Sequence, residues 1–74
     1  MRRTNDHGET FGAWLLAQKG REGLIGQLVD AAKADRGFPR DGDPEAVRKR
    51  LRNNYAEGDL FDAIDDAETD WLAY

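Results

Sequence analysis

The chain has 74 residues, a net charge of −4 and no cysteine. That length makes one domain near the lower limit of independent folding, and the missing cysteine excludes disulfides, thiol catalysis and cysteine-based zinc sites. The acidic balance disfavours a sequence-blind grip on nucleic acid, which depends on neutralising phosphates. No apolar run approaches the ~20 residues that span a bilayer, and no targeting peptide is read at the start. A cytoplasmic protein with no membrane contact is the expectation.

Residues 1–9 read as a flexible N-terminal arm, with Arg2 and Arg3 as its basic tip. His7 is the only histidine. It lies outside any apolar stripe and has no partner to orient it as a base, so it reads as an uninvolved surface residue. The rest, residues 10–74, reads as a single helical domain. The first helix is predicted from about Thr10 to Lys19. Thr10 is a suitable N-cap, and Phe11, Trp14 and Leu15 at i, i+3 and i+4 share one face. Gly20 offers a left-handed stop.

The second helix is predicted from Glu22 to Asp35, with Leu24, Ile25, Leu28, Val29 and Ala32 as a wide apolar stripe. Gly37 is the expected left-handed C′ residue, Phe38 should fold back at C″, and Pro39 forbids continuation. Arg40-Asp41-Gly42-Asp43 has turn composition. Asp43-Pro44 then places an N-cap before proline at N1, the strongest helix-start signal in the chain. The third helix should run from Pro44 to Asn54, burying Val47 and Leu51, with Tyr55 a candidate for the same stripe. The fourth should run from Asp59, as its cap, to Ala73. Its stripe is Leu60, Phe61, Ile64, Ala67, Trp71 and Leu72. No segment reads as a strand.

Three groups of anchors stand out in order: Phe11-Gly12-Ala13-Trp14-Leu15, Asp35-Arg36-Gly37-Phe38-Pro39, and Leu51 followed by Trp71-Leu72-Ala73-Tyr74. They follow an aromatic-x-x-aromatic-Leu start, an Asp-x-x-Phe-Pro link and a Trp-x-x-Tyr finish. In this the chain resembles the YozE SAM-like family of small bacterial proteins over about Thr10 to Tyr74. The resemblance implies an all-α, compact bundle of four short helices with a SAM-like fold. It implies no reaction and no catalytic residue. SAM-like folds serve both protein and nucleic-acid binding, so fold alone does not choose between them. The strongly basic stretch between Pro39 and Leu51 departs from the mixed, aromatic-containing segment expected of the family.

Charge is unevenly spread. Arg48, Lys49, Arg50 and Arg52 crowd the third helix, while seven acids and no base lie between Glu57 and Tyr74. On a helical wheel Arg48 and Arg52 share a flank and Lys49 points outward. Arg48, Lys49 and Arg52 are therefore candidate phosphate contacts, with Arg2 or Arg3 reaching an adjacent strand. The competing expectation is internal pairing with the fourth helix. The loop between the second and third helices is too long for a helix-turn-helix, which needs a tight turn of about three or four residues.

Asp62, Asp66 and Asp70 recur at i, i+4 and i+8. They read as a solvated stripe or as a face for docking a basic protein. A calcium site is not expected, because its loop spacing is absent. Trp14, Phe38, Trp71 and Tyr74 could form an exposed platform, but the stripes place Trp14 and Trp71 inside. There is no serine, no phosphate loop and no metal-ligand cluster, so neither catalysis, a cofactor nor a small-molecule substrate is expected. The leading expectation is a non-catalytic module that binds another protein or itself. Nucleic-acid binding through the third helix is the alternative.

Overall fold

Thr10 starts the first helix, α1 (Phe11–Leu16), by accepting a hydrogen bond from the Ala13 amide at its hydroxyl. The same hydroxyl donates to the Arg40 carbonyl at 3.1 Å, and the Gly12 amide donates to the Gly42 carbonyl at 3.0 Å. The opening of α1 is thereby tied to the loop that precedes α3 (Pro44–Asn53). The remaining elements are α2 (Gly23–Ala34) and α4 (Gly58–Ala73). The computed structural model describes residues 4–73. Among these there is no strand, only one antiparallel bridge between Thr4 and Thr10.

Asp43 caps α3 as expected, its carboxylate accepting from the Ala46 amide at 2.9 Å, and Pro44 follows in the first turn. The other ends differ from the sequence expectation. α1 stops at Leu16, so Gly20, although left-handed at φ 67°, lies beyond the helix rather than closing it. Asp35 ends α2 in extended backbone, and Gly37 does not adopt positive φ. A Cβ at Gly37 would instead meet the Arg50 guanidinium, the end of a flexible side chain, which would have to shift to make room. Asp59 lies in the first turn of α4 rather than preceding it.

α2 packs chiefly against α4, and α1 and α3 cover the remaining sides. The radius of gyration is 11.1 Å, matching the ~11 Å expected of a compact chain this long. Phe11, Leu15, Leu28, Val47, Ile64, Ala67 and Trp71 are fully enclosed. The Phe11 ring meets Trp14 in a stack (centroids 6.0 Å apart) and Trp71 edge-on (5.6 Å). Phe38 folds inward as predicted. Leu24 and Leu72, placed on the inward stripes by their spacing, are substantially exposed, and so is Tyr55.

From residue 4 onward, the segment expected to be a free arm is bonded to the bundle. Asn5 is buried. Its Oδ1 accepts from the amides of His7 and Glu9, each at 3.0 Å, and its Nδ2 donates to the Trp71 carbonyl at 3.3 Å. In return, the Trp71 indole N–H donates to the Glu9 carbonyl at 3.0 Å. The Trp14 indole N–H, by contrast, is buried and finds no acceptor among the described residues. The basic tip, Arg2 and Arg3, and the terminal Tyr74 lie outside the described residues.

Candidate interaction surface

The basic third helix divides its charges between neighbours and solvent. Arg48 leans onto α4, where its Nη2 donates to Asp65 at 2.6 Å and to Glu68 at 2.9 Å. Burial works against the charge of Arg48, but the hydrogen bonds to the two carboxylates outweigh it and push its pKa up. Arg50, on the opposite flank, is held by Asp35 at the end of α2. Lys49 and Arg52 are exposed and make no ion pair among the described residues. Of the three candidate phosphate contacts, Arg48 is thus a structural bridge, and only Lys49 and Arg52 remain available.

The acidic face divides in the same way. Asp70 pairs with Arg21 at 2.6 Å, fastening the end of α4 to the connector between α1 and α2. Asp62 and Asp66 are exposed and carry no ion pair among the described residues. The proposed docking stripe therefore has two free members, not three. No group of three or more histidine, cysteine or acidic side chains among the described residues is arranged to hold a metal ion.

A shallow hollow beside α2 is lined by Gln18, Lys19, Arg21, Gly26, Asp30 and Lys33. Its volume, about 50 Å³, is far below the ~300 Å³ at which small-molecule sites begin. No helix among the described residues is long and apolar enough to cross a membrane.

The turn after α3 carries a feature that the sequence reading missed. The Ala56 amide donates to the Leu51 carbonyl at 3.0 Å and the Tyr55 amide to the Arg52 carbonyl at 3.2 Å. This is a Schellman closure, with Tyr55 at the left-handed C′ position, φ 57°. The helix ends at Asn53, so Tyr55 leaves the stripe begun by Val47 and Leu51, and its side chain is 94% exposed. The signal available was Asn53-Asn54, two residues that favour a helix end over its continuation.

The fold and surface define a small helical bundle that offers charged exteriors and, among the described residues, one projecting aromatic. Residues 10–74 match the family described as YozE SAM-like fold, and the chain belongs to that family. No curated protein and no solved structure matches it.

Proposed function

We propose that this protein is a non-catalytic interaction module that works by binding protein. The observation that carries this reading is the internal use of Arg48. With its guanidinium committed to Asp65 and Glu68, the third helix presents Lys49 and Arg52 rather than a continuous phosphate-binding row. Two cations left unpaired on the third helix among the described residues, in a chain of net charge −4, are a poor basis for holding a polyanion. The mixed-sign exterior and the exposed tyrosine suit a small, polar-rimmed protein contact instead.

The test is chemical cross-linking of the tagged chain in cells, with a parallel measurement of retention on immobilised DNA at low salt. Protein adducts that disappear when the exposed charges Lys49, Arg52, Asp62 and Asp66 are reversed are expected, with no retention on DNA. A chain that forms no protein adduct, or that binds DNA in a salt-dependent manner lost on reversing Lys49 and Arg52, overturns the reading.

A further inference from the structure

We infer that the turn between α3 and α4 is a self-complementary contact surface for a second copy of this chain, with Tyr55 at its centre. The inference rests on the protein-binding reading above and adds the partner and the face. Its first support is the backbone. The C′ position of a Schellman closure favours glycine, because a Cβ there costs roughly 1 kcal/mol in the left-handed region. Tyr55 occupies it at φ 57°, and its side chain, 94% exposed, recovers nothing by burial within the fold. A glycine or asparagine would make the same turn at lower cost, so the ring contributes to something outside the monomer.

The second support is the charge on either side of it. In chain order, Lys49 and Arg52 precede Tyr55, while Glu57 and Asp59 follow it. All four are exposed, and none makes an ion pair among the described residues. The α3 side of the turn therefore brings positive charge toward Tyr55 and the α4 side negative charge. A two-fold axis through such a patch sets the positive side of each copy against the negative side of the other and brings the two Tyr55 rings together. A nucleic acid would meet Glu57 and Asp59 as readily as the bases. A different protein would need to supply both signs, which this chain already provides. The patch is small, so the contact should be weak and salt-sensitive.

Sedimentation equilibrium up to about 1 mM chain, the weak end of specific association, measures it directly. The wild-type chain should show a reversible monomer–dimer equilibrium that weakens with added salt. Tyr55→Gly should lose it by at least about tenfold in affinity while melting no lower than wild type, so misfolding cannot explain the loss. Lys49→Glu with Arg52→Glu on one chain, and Glu57→Lys with Asp59→Lys on another, should each be monomeric alone and associate when mixed. A monomeric wild type, a Tyr55→Gly chain that dimerises as well as wild type, or a mixture no tighter than its parts overturns the inference. So does binding of single-stranded DNA that is lost in Tyr55→Gly. A monomeric wild type that still forms cross-links to other proteins sinks this inference alone and leaves the protein-binding reading standing.

Discussion

The guanidinium of Arg50 grips the carboxylate of Asp35 with two hydrogen bonds, Nη2 to Oδ1 at 2.7 Å and Nε to Oδ2 at 2.8 Å. Asp35 also accepts from the Gly37 amide and from Asn54 Nδ2, so one carboxylate joins the end of α2, the following turn and the end of α3. The Arg50 hydrogen bond is the main reason the Asp35 carboxyl is lowered from 3.8 to about 2. A carboxylate whose pKa is depressed on folding stabilises the fold above its unfolded pKa, and that stabilisation fades as pH falls through the folded value. Thermal melts of wild type and Asp35→Asn should therefore differ most above a pH of about 4 and converge as pH falls toward about 2. A constant difference across that window would show that the charge of Asp35 is not what matters. Arg50→Lys should behave like a partial loss, because an ammonium cannot reproduce the fork.

Gly12→Ala should destabilise, against the usual helix preference for alanine of up to about 1 kcal/mol. A Cβ at Gly12 would run into the Pro39 carbonyl and lie 2.8 Å from that of Arg40, and neither backbone group can rotate away. The expected cost is about 1–3 kcal/mol, seen as a lower urea midpoint with an unchanged slope.

The two tryptophans should respond unequally to replacement by phenylalanine. Trp71→Phe removes a ring that is fully buried and an N–H that donates to Glu9. Trp14→Phe removes an N–H that has no acceptor, so that change relieves a penalty while it shrinks the core. Trp71→Phe should therefore cost more, by about 1–2 kcal/mol in denaturant unfolding. Equal losses would mean that the Glu9 contact contributes nothing.

Arg48→Gln should lower stability by about 0.5–1 kcal/mol, since it breaks a partly exposed bridge to two carboxylates. Arg52→Gln should lie within about 0.5 kcal/mol of wild type, because its side chain makes no ion pair within the described residues. Urea midpoints of the two variants decide whether these neighbouring arginines differ as their positions imply.

Much of this was legible in the residues themselves. Thr10 and Asp43 announce two helix starts by their side-chain chemistry, and the spacing of Phe11, Trp14, Leu28, Ile64 and Trp71 picks out the interior. The resemblance added the arrangement of the bundle. What could not be read depends on distance along the chain. Asn5 reaches Trp71 across 66 positions, and no local pattern signals that partnership. Internal pairing of the third helix with the fourth is among the sequence expectations, but the particular partners, Arg48 with Asp65 and Glu68, and the Arg21–Asp70 pair, require knowing which flanks meet. Tyr55 was misplaced for a different reason. Its spacing from Leu51 is helical, but the helix stops first, and a stop one residue early turns a stripe residue outward.

The bond from Asn5 to Trp71 also bears on how the chain reaches this state. Bringing together groups 66 positions apart costs more chain entropy than forming any single helix or turn between them. The turns at Asp43 and Tyr55 can form early, because everything they need is nearby. The seat of Trp71, between Phe11 and the backbone of Glu9, exists only when segments from both ends of the described chain have come together. Docking of the last helix should therefore come late in folding, and in stopped-flow measurements lesions at Asn5 or Trp71 should speed unfolding far more than they slow refolding.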